Sequence, residues 1–241
     1  MTNMTPEVLC CVFDHNQHDG AARWADLLSP HFDTVILDSG STPPCPHPAA
    51  VHLDNVYYSG LMNQAYDLLV ARGYRWLLVV TGDIEIDGPN AEKLVAGIRD
   101  ILRTSNVGLY QPSCGWSLHG RALYQSVCHF TGRMRKVNFQ EGWFHLVCRE
   151  ILDEVMPIDL AKNRLGWGVD LVLCHFARLK RMLVLVDDRV RVVHPRGSGY
   201  NRDAAREQMQ RWQAGIPGYE SPRHFRPLRD EIRYLLLFSC V

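Results

Sequence analysis

Asp83 and Glu85 stand two residues apart at the end of the stretch "LLVVTGDIEID", Leu77 to Asp87, where four aliphatic residues run into Gly82 and acids follow at alternate positions. Two carboxylates at that spacing just past a buried strand reach the same side if the chain turns there. Together they hold a hard divalent cation through oxygen, Mg2+ or Mn2+ by preference. The plain alternative is a solvated turn with ordinary acidic residues. The same habit recurs earlier in the chain. "EVLCCVF" ends in Asp14 and Asn16, and "DTVILDSGS" ends in Asp38.

Elements must exist to place these acids. "EVLCCVF" reads as a short buried strand, "GAARWADLLSPHF" as a helix stopping near Pro30, and "DTVILDSGS" as a second strand. Strand, helix and strand imply a parallel pair joined by a right-handed crossover. After the proline-rich loop "STPPCPHP" come a brief strand in "AVHLDN" and a helix in "SGLMNQAYDLLVARGY", with Gly73 at the C-cap position. "RWLLVVTGD" is the next strand, "GPNAEKLVAGIRDILRTS" a helix, and "NVGLYQPSCGW" begins as another strand. The fold class is α/β: an open, mainly parallel Rossmann-type sheet flanked by helices. In such sheets ligands bind at the carboxyl ends of the strands, so the acids after the first, second and fourth strands gather on one rim. Beyond Tyr110 the pattern turns mixed, with "RMLVLVDDRVRVVHP" expected as a late strand pair. Residues 1–195 read as one domain and 196–241 as a C-terminal lid and arginine-rich helical tail.

Composition narrows the function. Of 241 residues, 46% are hydrophobic and 22% charged, as in an ordinary globular protein. Basic and acidic residues balance at 26 each, so the overall field steers neither nucleic acid nor membrane toward the chain. The eight cysteines lack framework spacing and no signal segment opens the chain, which points to reduced thiols in the cytoplasm. No apolar run reaches the roughly 18 residues of a membrane span. Cys114, His119, Cys128, His129, His145 and Cys148 lie close in sequence, but their spacing matches no paired zinc-ligand pattern.

Read together, these segments resemble nucleotide-sugar-dependent glycosyltransferases of the GT-A fold, of the inverting, family-2-like kind. "LLVVTGDIE" resembles their Asp-x-Asp strand end, with Glu85 as the second acid. Asp14 in "VFDHN" resembles the first-strand loop, and Asp38 in "LDSGST" the Asp-Asn-Gly-Ser turn that contacts the base. "DNVYYSGLMNQA" is similar to the Asn-x-Gly-x-x-x-Asn helix entry below the diphosphate, here Asn55, Gly60 and Asn63. "NRLGWGVD" resembles the Gly-Trp-Gly-x-Asp stretch that carries the catalytic base, and His194 in "VVHP" the late histidine that completes the metal shell. The resemblance covers about Val8 to Pro195. It departs at Glu85, at Ser39 where the turn carries asparagine, and at the spacing after Asn55, stretched by "VYYS".

The resemblance implies a hexosyl- or pentosyltransferase that moves a sugar from a nucleotide-diphosphate donor to a hydroxyl acceptor with Mn2+ or Mg2+. The ion would be held by Asp83, Glu85 and His194 and would bridge the phosphates. Asp170 is the expected general base, and its setting agrees: Gly166 and Gly168 would let backbone approach a sugar, and Trp167 offers a flat face for the ring. A helix N-cap is the other role open to Asp170. Glu141, beside Trp143, is the second candidate carboxylate, as acceptor ligand or substitute base, or else a surface residue on a turn. The donor contacts would be Asp14, Asp38, Asn55, Gly60, Asn63, Gly82, Trp167 and Arg196. Ser59 to Leu61 would open a helix toward a phosphate, and Arg196 lies in the glycine-rich "HPRGSGYN", read as a lid. A sugar nucleotidyltransferase and a non-catalytic nucleotide-sugar-binding domain stay as alternatives. The acceptor stays open among glycan, small molecule and modified DNA.

Overall fold

A computed structural model describes residues 7–114, 125–194 and 201–219. Strand β1 (Val8–Asp14) is buried along its whole length because it has neighbours on both edges and helices on both faces, the reason its sequence is an unbroken apolar run. β2 (Asp33–Ser39) and β4 (Trp76–Thr81) pair with it in parallel, and β3 (Ala50–Leu53) adds to β2. Helix α1 (His18–Leu28) presents Ala21, Trp24, Ala25 and Leu28 as one buried stripe. Helix α2 (Tyr57–Arg72) ends at Gly73 in the left-handed region (φ 73°), which returns its N–H to the last carbonyls of the helix.

Past β4, Asp87 caps helix α3 (Gly88–Arg103): its side chain accepts from the Asn90 N–H at 2.8 Å. The third acid of "DIEID" is therefore a cap. Next come β5 (Val107–Cys114), β6 (Met134–Lys136), β7 (Phe144–Cys148), the short α4 (Arg149–Val155), α5 (Val169–Leu179), β8 (Leu183–Val192) and α6 (Arg202–Gln213).

The sheet has eight strands in the order β3-β2-β1-β4-β7-β5-β8-β6. Six run one way. β7 runs antiparallel between β4 and β5, and β6 lies antiparallel on the edge. This is the open, mainly parallel sheet read from the sequence. One local expectation is corrected: "RMLVLVDDRVRVV" is a single ten-residue strand, since the break after Asp187 is a register shift against Pro112 and Ser113 and no turn intervenes. In the tail, α6 buries Trp212 and Gln213, and Gln208 accepts from the N–H groups of Arg164 and Leu165. The boundary expected at residue 195 falls outside the described residues. The seven described cysteines are all buried free thiols. Among the described residues no helix is long and apolar enough to cross a membrane.

Candidate active site

Parallel pairing puts the carboxyl ends of β1, β2 and β4 on one rim, with Asp14 directly opposite Asp38 and Phe13 opposite Thr81. The antiparallel β7 brings its starting residues to the same rim, where the Thr81 N–H donates to the Trp143 carbonyl at 3.0 Å. Gly82 donates its N–H to the Phe13 carbonyl at 2.8 Å, and α1 crosses so close that a Cβ on Gly20 would collide with the Gly82 carbonyl oxygen.

Beyond Gly82, a tight turn closed by Ile84 N–H on the Thr81 carbonyl exposes Glu85 and leaves Asp83 half-buried. Glu85 and Val193 exchange both backbone hydrogen bonds, an isolated bridge that fastens the end of β8 over the turn. His194 is thereby delivered to Asp83, with Nε2 at 3.5 Å from Oδ2. Burial pushes the Asp83 carboxyl up, but hydrogen bonds from His194 and Thr81 outweigh it and hold the group below the ordinary aspartate range. Asp83 Oδ1 is buried and has no hydrogen-bond partner.

The His194 ring stacks on Trp143, with centroids 5.9 Å apart and planes inclined at 26°. The Trp143 indole N–H donates to Glu141 Oε2 at 2.8 Å, and Glu141 is buried with Oε1 unpartnered. Burial raises the Glu141 carboxyl to about 8; the indole hydrogen bond opposes this and the nearby Asp170 charge adds to it.

Asp170 is the second residue of α5. Gly168, in the left-handed region (φ 78°), occupies the N-cap, so the capping role weighed for Asp170 falls to a glycine. The residue is partly exposed, and desolvation of its carboxyl by the surrounding protein raises it to about 6 against the opposing pull of the Leu171 and Gly142 N–H groups. Tyr58 donates its hydroxyl to the Gly142 carbonyl at 2.7 Å and meets Phe13 edge-on. Glu141 thus lies one residue from Gly142, which packs against Asp170: a Cβ there would sit 3.8 Å from Asp170 Oδ2.

Several expected contacts turn out to be made by the protein itself. A Cβ on Gly166 would strike Tyr58, and one on Gly168 would strike Met209 and Gln213; these glycines admit a side chain and α6 where approach to a sugar was expected. Helix α2 opens at Tyr57, two residues before Ser59. The Tyr57 N–H goes to Asn55 Oδ1 at 3.3 Å and the Ser59 N–H to the Arg164 carbonyl at 3.4 Å, so these donors do not stand open for a phosphate. Gly60 is pressed against Val56, and Asn63 exchanges two hydrogen bonds with the Ile158 backbone. Asp14 accepts from the Gln17 N–H and faces His18; Asp38 accepts from the Ser41 and Cys45 N–H groups and faces His52. Trp167 is half-buried, and Arg196 lies outside the described residues.

Sequence reasoning missed Arg164, which lies 4.5 Å over the Tyr57 ring and donates to the Asn55 carbonyl, tying the "NRLGWG" loop to the start of α2. It also missed that Asp14, His18 and Cys45 meet. Theirs is the group of three metal-ligand side chains within 4.8 Å of one another among the described residues; Asp83, Glu85 and His194 do not close to that distance as a trio. The i, i+4 spacing of Asp14 and His18 was the available signal; Cys45 sits in a loop that local pattern cannot place.

No family model and no curated protein matches the sequence. Solved structures do match the fold. Glucosyl-3-phosphoglycerate synthase from Mycobacterium tuberculosis, solved with Mn2+, uridine diphosphate and phosphoglyceric acid, superposes with a TM-score of 0.55 at 13% identity, over 90% of this chain and 80% of that one. GalNAc-T7, solved with UDP, GalNAc and Mn2+, gives 0.54 at 11% identity, over 97% of this chain and 48% of that one, so the present chain spans about half its length. A mycobacterial protein gives 0.52 at 16% identity over 80% and 69%. The chain has the GT-A fold of glucosyl-3-phosphoglycerate synthase and GalNAc-T7.

Proposed function

We propose that the chain is a glycosyltransferase that moves a sugar from a nucleotide-diphosphate donor to a hydroxyl acceptor, assisted by Mn2+ or Mg2+ and with inversion at the anomeric carbon. The observation that carries this is the convergence, through residues 141–143, of the Asp83–His194 pair with two carboxyls whose titrations are driven apart.

The donor set suits such an ion. A buried, unpartnered Asp83 Oδ1 next to an imidazole is an oxygen-rich seat, with Glu85 exposed two residues on. A cation bound there supplies Lewis-acid stabilisation of the departing diphosphate. The turn after β4 and the Glu85–Val193 bridge hold Asp83 and His194 at that spot.

Asp170, raised to about 6, is ionised at neutral pH and more basic than an ordinary aspartate, the property required to take the acceptor hydroxyl proton. Glu141, raised to about 8, stays protonated there, and its unpartnered Oε1 is free to donate to the acceptor, while Asp170 accepts a proton. A base on the acceptor side of the sugar predicts a single displacement. Trp167 remains our stacking surface for the donor ring; Asp14, Asp38, Asn55 and Gly82 are our donor contacts on the rim, Gly60 and Asn63 support them from within α2 through Val56 and Ile158, and Arg196 is our candidate for the diphosphate. The acceptor is a glycan, a small molecule or modified DNA.

A thermal-shift panel of UDP-, GDP-, CMP- and dTDP-sugars with and without Mn2+ tests the reading. Stabilisation by one donor that depends on the metal and is lost in Asp83→Asn supports it; no stabilisation by any donor overturns it.

A further inference from the structure

We propose a second and softer metal site in this molecule, in which Asp14, His18 and Cys45 bind a zinc-class divalent cation through carboxylate oxygen, imidazole Nδ1 and thiolate sulfur. The three ligand atoms lie within 4.8 Å of one another, at the carboxyl end of β1, in the first turn of α1 and in the loop after β2.

The strongest observation is the setting of His18. Its Nε2 lies 2.9 Å from the Pro43 carbonyl and its Nδ1 2.6 Å from Asp14 Oδ2, so both nitrogens face acceptors. A neutral imidazole has one N–H, and the carbonyl can only accept it. With Nε2–H on the carbonyl, the 2.6 Å contact at Nδ1 is a charge-assisted hydrogen bond to the carboxylate, and a metal would replace that proton as the two ligand atoms move apart. One ring nitrogen fixed by a backbone carbonyl while the other is aimed at a ligand is the arrangement that metal-binding histidines adopt.

Charge supports the same conclusion. Asp14 and Asp38 are each 1% exposed, and among the described residues their ion-pair partners are His18 and His52, with no lysine or arginine paired to either. A dication beside Asp14 compensates both acids more fully than imidazoles do. The ligands are already oriented: the Gln17 N–H holds Asp14 Oδ1 at 2.8 Å, and Asp38 holds the Cys45 backbone N–H at 2.9 Å. The Cys45 sulfur lies within 4.8 Å of an Asp14 carboxylate oxygen, and a metal bound between them would displace the thiol proton.

Sulfur and imidazole with a single carboxylate select zinc-class ions over Mg2+ or Mn2+, which separates this site from the one proposed at Asp83. Three protein ligands leave a fourth coordination position for water. The ion would fasten the Pro43–Cys45 loop to α1.

The chelator-treated full chain titrated with Co2+ decides the matter. We expect one equivalent to give a thiolate-to-cobalt charge-transfer band with tetrahedral visible absorption. Cys45→Ser should abolish that band. His18→Gln should weaken binding at least about tenfold, as loss of even an outer-shell partner does, and Asp83→Asn should leave it unchanged. Absence of a thiolate band, or a band that persists in Cys45→Ser, overturns the site. If Cys45→Ser does not fold, undiminished Co2+ affinity in His18→Gln overturns it instead.

Discussion

Trp143 links two kinds of residue that the sequence keeps 53 positions apart: its ring stacks on His194 at 5.9 Å while its N–H binds Glu141 at 2.8 Å. The indole therefore fixes the imidazole that faces Asp83 and the buried acid that neighbours Asp170. Replacing it separates these two roles. Trp143→Phe keeps a ring against His194 but removes the indole donor, so Mn2+ affinity should change little while the pH profile shifts. Trp143→Ala removes both, and Mn2+ affinity, read by calorimetry, should fall about 10- to 100-fold, the cost of losing an outer-shell partner.

Asp170→Asn should lower kcat about 10²- to 10⁴-fold with donor affinity retained, the signature of a lost general base. In the unmodified protein the rate should rise as pH passes through about 6, where Asp170 ionises, and decline above about 8, where Glu141 loses its proton. Steady-state kinetics from pH 5 to 9 check both limbs. A profile without a limb near 6 that Asp170→Asn removes would exclude Asp170 from this role.

Glu141 also makes a prediction about stability. Its carboxyl is raised from 4.5 to about 8 in the fold, so between those values the folded state holds a proton that the unfolded chain has released. Stability then falls as pH rises across that window, by an amount on the order of 3 kcal/mol. Glu141→Gln should flatten the slope and be the more stable protein at pH 8. Urea melts at pH 5 and pH 8 give the comparison.

Gly20→Ala should destabilise the fold by about 1–3 kcal/mol, because its Cβ meets the backbone carbonyl of Gly82 and no flexible side chain can yield there. The displaced backbone precedes Asp83, so Mn2+ affinity should drop with stability. Gly88→Ala, where a Cβ meets nothing within 4 Å, is the control.

Arg135 and Asp188 form a buried pair, with Nε and Nη2 reaching the two carboxylate oxygens at 2.8 and 3.0 Å. Arg135→Ala leaves buried Asp188 without its charged partner, with the Thr131 hydroxyl left on its carboxylate, and should cost about 3–5 kcal/mol by chemical denaturation.

Period and punctuation alone determined much of this protein. The apolar run of β1, the 3.6-residue stripe of α1, Gly73 after α2 and the repeated passage from strand to acid are local facts, fixed by side-chain direction and backbone freedom, and they define an α/β sheet with a carboxylate-bearing rim. What lay beyond reach depended on which distant segments touch. The insertion of antiparallel β7 between β4 and β5 follows from sheet-edge pairing, which no local pattern encodes, and it sets Trp143 against Thr81 of β4 and the Glu141 backbone against Gln111 of β5. The shifted carboxyls of Asp170 and Glu141 arise from enclosure by residues remote in sequence, since burial, not residue type, decides the cost of charge. In the same way Gly166 and Gly168 announced close approach, and only packing showed that Tyr58 and α6 are what approaches.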